Sequence, residues 1–333
     1  MILAGDIGGT KTRLALFRLA GERFDLRSEQ SYPSREYHDL DGIVAAFRAA
    51  FPGEIREACF GIAGPVRDGR SQTTNLPWTI DARVLGRSLG LPRVRLINDL
   101  EANAYGIAAL DPDDLFELRA GLPGAGNAAL IAAGTGLGEA GLFWDGTAHL
   151  PFATEGGHTS FAPADRLQDE LLVYLRRKHE HVSWERVLSG PGLYNVYLFL
   201  RDTGRGEESP SLAERLARED PAAVISETAI EGRSPLAEQA LELFVALYGA
   251  EAGNLGLKFM ATGGVYVGGG IAPKILKALK GAAFVQAFLA KGRMKPLLET
   301  MPVRVILNDR TPLLGAARCA ALRAGLLPAA GKA

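Results

Sequence analysis

Apolar and polar positions alternate over two well-separated stretches of the chain, each time around a glycine turn. The first, "LAGDIGGTKTRLALF", runs apolar into Asp6, turns at Gly8 and Gly9, and resumes its alternation through Leu14, Leu16 and Phe17. The second, "ALIAAGTGLGEAGLFWDGTAHL" (residues 129–150), predicts strand, glycine turn, strand, then an Asp145-Gly146 hairpin and another strand. Two hairpins of one design suggest a duplicated architecture.

Between them the pattern changes to strand–helix units. "EACFGIAGPV" (57–66) and "VRLIND" (94–99) predict buried strands, and "LEANAYGIAAL" after the second has helical spacing. Farther on, residues 167–178 and 236–258 repeat apolar positions at i, i+3 and i+4, which predicts long amphipathic helices. "RDTGRGEESPS" (201–211) predicts a polar loop. "ATGGVYVGGGIAPKIL" (261–276) predicts a strand, three glycines and a helix with Pro273 near its first turn. A strand at 303–308 and a helix at about 312–322 close the chain. Such alternation predicts an α/β protein with mixed sheets and helices on their faces.

Composition adds bounds. The 333 residues suffice for two domains with large cores, and 47% hydrophobic with 23% charged residues is the balance of a globular protein. Lys+Arg 37 against Asp+Glu 38 offers no excess charge for nucleic acid or a membrane surface, so neither is expected as a partner. Cys59 and Cys319 read as small core residues in a strand and a helix, too few for a disulfide framework or a CxxC metal site. The first strand starts within a few residues of Met1, and no apolar run approaches the ~18–20 residues of a membrane span. The expectation is a soluble, cytoplasmic protein.

Glycine turns bring backbone N–H groups against a phosphate because no Cβ intervenes. Three such turns occur: Gly8-Gly9, residues 134–138 and residues 268–270. The first two carry hydroxyls, Thr10 and Thr135. Tight turning alone explains any one of them, but three together favour a nucleotide. Gly136, Gly138 and Gly141 satisfy GxGxxG, yet "EAGLFW" reads as strand where the dinucleotide fingerprint needs a helix. No Walker A loop is present, the only Gly-Lys pair being Gly331-Lys332.

The acids divide similarly. Asp99 ends a strand, where it can cap the next helix or serve as a general base for an attacking hydroxyl. Asp6, beside the glycines, suits Mg²⁺, held directly or through water. "ATEGGHTSF" puts Glu155 and His158 on one short loop, a pair fit for a polyhydroxylated ligand. Glu185 in "SWERVLSG", taken alone, reads as an acid in the first turn of a helix.

Together, "GDIGGTKTRLALF", "TNLPW", "LINDLEANAYGI", "GTGLGEAGL", "EGGHTSFAP", "ERVLSGPGLYNVY", "GGVYVGGGIAP" and "PLLGAA" resemble, in order, the motifs of bacterial ATP-dependent glucokinases, from about residue 3 to residue 320. The resemblance implies an α/β, two-lobed actin-like ATPase (ribonuclease H-like) fold with the active site in the cleft. It implies a small domain of residues 1–108 plus 303–333 and a large one of residues 109–302. Gly8, Gly9 and Thr10 would face the ATP phosphates, with Asp6 towards Mg²⁺. Gly134, Thr135, Gly136 and Gly138 would form the second phosphate hairpin, and Gly269 and Gly270 would border the adenosine. Asp99 matches the base acting on the sugar's 6-hydroxyl; Asn98, Glu155, His158 and Glu185 would hold other hydroxyls, and Asn75 would line the pocket.

The implied reaction is phosphorylation of D-glucose by ATP. Lys11 stands where many relatives have Asn, and Thr154 where Gly is common; Thr154 is placed to alter the sugar loop's backbone. The repressor/open-reading-frame/kinase sugar kinases share the fold but carry a Cys-rich zinc motif after their histidine; this chain lacks it, so zinc is not expected. A kinase for another hexose and a sugar-sensing regulator are the competing readings. Analogy with relatives suggests a homodimer.

Overall fold

The computed structural model describes residues 1–73, 76–122 and 124–327. The chain opens with β1 (Ile2–Ile7), β2 (Lys11–Ala20) and β3 (Arg23–Pro33), followed by α1 (Leu40–Ala50). Then come β4 (Glu57–Ile62), the short β5 (Val66–Arg67), β6 (Arg70–Gln72) and β7 (Thr79–Asp81), α2 (Ala82–Leu89), β8 (Arg95–Asn98) and α3 (Asp99–Ile107). The main sheet here has the order β3-β2-β1-β4-β8. β1 pairs antiparallel with β2 and parallel with β4, and β4 pairs parallel with β8.

β1 and β4 are buried along nearly their whole length, as strands covered on both faces must be. The two-residue period divides their side chains. Leu3, Ile7, Leu14, Leu16 and Phe60 join α1 and α2 in one core, while Ile2, Ala4, Ala15, Phe17 and Cys59 point into the other. That other core is closed by α3 and the final helix.

The next strands are β9 (Leu115–Arg119), β10 (Ala128–Ala133), β11 (Leu137–Trp144) and β12 (His149–Thr154). A helical run follows: α4 (Arg166–Arg176), α5 (Gly190–Asp202), α6 (Pro210–Arg218), α7 (Pro221–Ile230) and α8 (Pro235–Phe259). The chain ends with β13 (Gly264–Gly268), α9 (Leu276–Leu279), α10 (Ala282–Leu289), α11 (Lys295–Leu298), β14 (Val303–Ile306) and α12 (Thr311–Arg323). The second large sheet has the order β12-β11-β10-β13-β14-β9, with β10, β13 and β14 parallel neighbours and β9 antiparallel at the edge. Its largest core gathers β10 and β13 with α5, α7 and α8. α8 is buried on most of its circumference, Glu251 included, so it is a core helix rather than a surface one.

Two compact units result: Met1–Asp114 with Leu142–Ala153 and Asn308–Ala333, and Leu115–Gly141 with Thr154–Leu307. Among the described residues no helix is long and apolar enough to cross a membrane.

The elements expected at 57–66, 94–99, 167–178, 236–258, 303–308 and 312–322 all form, with small shifts at their ends. The region after β13 differs. Residues 269–275 are turns, and α9 begins only at Leu276, so Pro273 lies in the turns just before the helix. Gly269 takes φ +82°, a left-handed conformation open to glycine. Cys59 and Cys319 are both free and buried, on β4 and α12 as expected.

α3 and α12 touch backbone to backbone. A Cβ at Gly315 would overlap the Ala102 carbonyl, and one at Gly106 would overlap the Thr311 carbonyl. Gly315→Ala is therefore expected to destabilise the protein by about 1–3 kcal/mol, read as a lower urea midpoint. An unchanged midpoint would mean that the two helices separate freely.

Candidate active site

In the first unit, β1 delivers Asp6 to its carboxyl end and the chain turns at once. The Gly8 N–H donates to the Lys11 carbonyl at 3.0 Å, closing the turn, and Ser34 braces it from behind. The Ser34 hydroxyl donates to the Gly8 carbonyl (2.8 Å) and lies 2.9 Å from the Thr12 hydroxyl, while the Ser34 N–H donates to the Thr10 carbonyl (3.0 Å). Thr10 is exposed at the tip, with Gly8 and Gly9 half-buried beside it. Burial pushes the Asp6 carboxyl up from the ordinary range, against the pull of Arg13 and Lys11. A desolvated carboxylate of this kind gains most from a cation, and one carboxylate plus phosphate oxygens and waters is the donor set Mg²⁺ prefers. Among the described residues no group of three or more His, Cys, Asp or Glu is assembled for a metal. The fit is thus to a metal that arrives with phosphate.

The same unit carries Asn98 and Asp99 where β8 gives way to α3. The sequence leaves Asp99 to choose between capping and chemistry; in the structure Asn98 is the cap. The Asn98 Oδ1 accepts from Leu100 N–H (2.9 Å) and Glu101 N–H (3.4 Å), and its Nδ2 donates to the Gly64 carbonyl (3.2 Å). Asp99 is the first helical residue, half-buried, and its Oδ1 also accepts from Leu100 N–H at 3.0 Å. Asn75, expected in the sugar pocket, lies outside the described residues.

The second unit holds the remaining groups. β10 runs into the turn of Gly134, Thr135 and Gly136, closed by Gly134 N–H donating to the Gly136 carbonyl (2.8 Å). Gly190, at the start of α5, donates to the Gly134 carbonyl at 2.8 Å. Gly269 lies directly against Ala133, close enough that a Cβ would overlap its backbone, and Ile271 N–H donates to the Ala133 carbonyl (3.2 Å). The turns at 134–138 and 269–270 are therefore neighbours, and Gly270 opens to free space.

Glu155 and His158 sit on a tight turn, Gly156–His158, with exposed side chains 4.0 Å apart. A bridge between Ser160 and Ser183, with Trp184 N–H donating to the Thr159 carbonyl (3.0 Å), lays this loop beside the turn that carries Glu185. Glu185 reaches back to the second glycine turn. Its Oε2 accepts from Leu137 N–H at 3.0 Å, just under Gly136. The carboxylate so links the glycine turn to the Glu/His loop, a role that its local sequence did not announce.

Two residues escaped the reading of the sequence. Ser34 carries no local signal, because its partners are 22–26 positions away. Glu139 did carry one: a lone charge in an otherwise apolar strand, "LGEAGLFW". It is 1% exposed.

A family model described as Glucokinase matches residues 3–323. The glucokinase of Nostoc sp. is 45% identical over 340 residues, covering 96% of this chain and 99% of that protein. The glucokinase of Synechocystis sp. is 44% identical over 345 residues, covering 96% and 97%. Among solved structures, a glucokinase from an Antarctic psychrotroph superposes with TM-score 0.82 at 31% identity, covering 96% of this chain and 98% of that one. A glucokinase from Balamuthia mandrillaris in complex with glucose shares the fold, with TM-score 0.77 at 23% identity over 96% and 93% of the two chains.

The capping geometry makes a direct prediction. Asn98→Ala should cost about 1 kcal/mol of stability and Asn98→Ser only a few tenths, because serine keeps an acceptor for the first turn of α3. Urea unfolding of the two variants beside the parent checks it; equal losses would mean that the Gly64 contact, not the cap, carries the stability.

Proposed function

The chain belongs to the glucokinase family, as an ATP-dependent kinase of D-glucose with the two-lobed actin-like ATPase fold, and on that premise we propose that Asp99 is the base of the reaction. The observation that carries this reading is the division of labour at the start of α3. Asn98 is the cap, accepting from both Leu100 and Glu101 N–H, and Asp99 stands beside it as the first helical residue. The 6-hydroxyl oxygen of glucose attacks the γ-phosphorus, the bond from that phosphorus to the bridging oxygen breaks, ADP leaves, and the hydroxyl proton passes to the Asp99 carboxylate. Phosphoryl transfer of this kind asks the protein for positioning, charge neutralisation and a proton acceptor.

The glycine turns supply the positioning. Gly8, Gly9 and Thr10, and likewise Gly134, Thr135, Gly136 and Gly138, offer N–H groups and hydroxyls suited to phosphates. Gly269 and Gly270 border the adenosine, which the contact of Gly269 with Ala133 supports. Asp6 would hold Mg²⁺, directly or through water, and the ion would neutralise phosphate charge. Glu155, His158, Glu185 and Asn98 bind the sugar's hydroxyls, with Asn75 in the pocket. Charged acceptors and donors around a polyol discriminate strongly, since a sugar lacking one hydroxyl leaves a partner unpaired. Glu185 is suited to couple the two ligands, because one of its oxygens already holds the backbone of the phosphate turn.

The test is ADP release from MgATP with a panel of hexoses. Asp99→Asn should lower kcat by about 10²–10⁴-fold, the usual worth of a general base, with glucose binding retained by calorimetry. Turnover near that of the parent would remove Asp99 from the mechanism. Glu155→Gln should raise KM for glucose by about tenfold or more, the loss of one charge-assisted hydrogen bond, with little change in KM for ATP. Equal effects on both substrates would make the loop a scaffold rather than a sugar contact.

A further inference from the structure

Glu139, in β11, is 1% exposed, and among the described residues neither carboxyl oxygen has a hydrogen-bond partner. A buried ionised carboxylate without partners is among the costliest arrangements in a protein. The neighbouring charges do not relieve it. α8 presents Glu251, itself fully buried, whose oxygens are taken by Asn254 Nδ2 (2.6 Å) and Lys258 Nζ (3.1 Å). Lys291, from the turn after α10, is engaged with the Ala250 carbonyl (2.8 Å) and Asn254 Oδ1 (2.7 Å). Burial first, and Glu251 second, raise the Glu139 carboxyl to about 8, with only a partial counter-pull from Lys258. Near neutral pH the group is an uncharged acid.

Its other neighbour is the Glu/His loop. A Cβ on Gly156 would overlap the Glu139 Oε2, so carboxyl and loop backbone are in direct contact. The backbone of Glu139 holds the same loop through Thr154, whose hydroxyl donates to the Glu139 carbonyl (3.0 Å) and accepts from Gly156 N–H (3.2 Å). Thr154 is the departure from the family pattern noted above, and here it has a defined task. The loop's own charged groups, Glu155 and His158, are exposed.

We propose that Glu139 is a positioning residue for the sugar loop: its neutral carboxyl fills the space beneath Gly156 while Thr154 ties the loop to its backbone, and ionisation of the carboxyl unseats the loop. This rests on the reading of that loop as the glucose contact. Glucose affinity then falls as the pH rises through about 8, because the seated loop that binds glucose accommodates the neutral acid and not the ion. The nucleotide turns, held by other contacts, keep their affinity.

Calorimetry of glucose binding without ATP, from about pH 6.5 to about 9.5, tests this in the parent and in Glu139→Gln, a near-isosteric side chain that cannot ionise. The parent should lose roughly tenfold in affinity across that range and the variant almost none, with KM for ATP level in both. The same alkaline loss in both proteins, or none in the parent, would overturn the proposal. Hydrogen exchange at the amides of residues 154–158, compared at each pH in the sugar-free proteins, gives a readout independent of the ligand. Protection should fall above pH ~8 in the parent only; equal protection overturns the proposal. If neither protein binds glucose at any pH, the sugar role of the loop fails, and exchange alone then decides the role of Glu139. Thr154→Val should weaken glucose binding at every pH and Thr154→Ser should restore it; no difference between the two would remove Thr154 from the mount.

Discussion

A strand buried on both faces has nowhere along its length for a polar group that must meet a ligand. β1, β4 and β10 are such strands, and each is apolar almost throughout. Chemistry is then displaced to the points where the chain leaves a sheet. Asp6 and the first glycine turn follow β1, Asn98 and Asp99 follow β8, the second glycine turn follows β10, and Gly269 follows β13. Open α/β sheets place ligands at the carboxyl ends of their strands for this reason. The proposed catalytic groups thus inherit their places from the cores on either side of each sheet.

Close backbone approach is the second constraint, and it serves rigidity. Gly106 and Gly315 let α3 and α12 meet without side chains between them, so the helix that begins at Asp99 is pinned along its length. Gly269 and Ala133 do the same for the two turns assigned to the nucleotide. Sites that must hold reacting groups within a fraction of an ångström benefit from supports of this kind.

Buried acids are used differently near the Glu155-to-His158 loop. Glu251 is fully buried and paired with Lys258, a conventional arrangement, whereas Glu139 is buried with no hydrogen-bond partner among the described residues and has its carboxyl pushed up to about 8. The sensitivity of the loop to that acid would follow from low-dielectric surroundings, which make an unpaired ion far more costly than in water.

Much of this was legible in the sequence. The period-two patterns around Gly8 and Gly134, and the helical spacing of residues 236–258, determined strands and helix, because side chains must alternate or recur where a face is buried. The motifs determined the family, since Asp6, Asn98-Asp99 and the Glu155-to-His158 loop are local in the chain. The start of α9 at Leu276 was less visible, since residues 269–275 form a series of turns first. Three decisions belonged to the tertiary structure alone. Local spacing permitted either Asn98 or Asp99 as the cap, and the position of the helix start chose Asn98. Glu185 could be any first-turn acid until Leu137, 48 positions away, brought its N–H to the carboxylate. Glu139 could be a surface glutamate until burial, Glu251 of α8 and the backbone of Gly156 came to surround it. A sequence pattern records which face of an element is apolar; desolvation and long-range partners, which set the ionisation of a buried acid, exist only once distant segments are packed together.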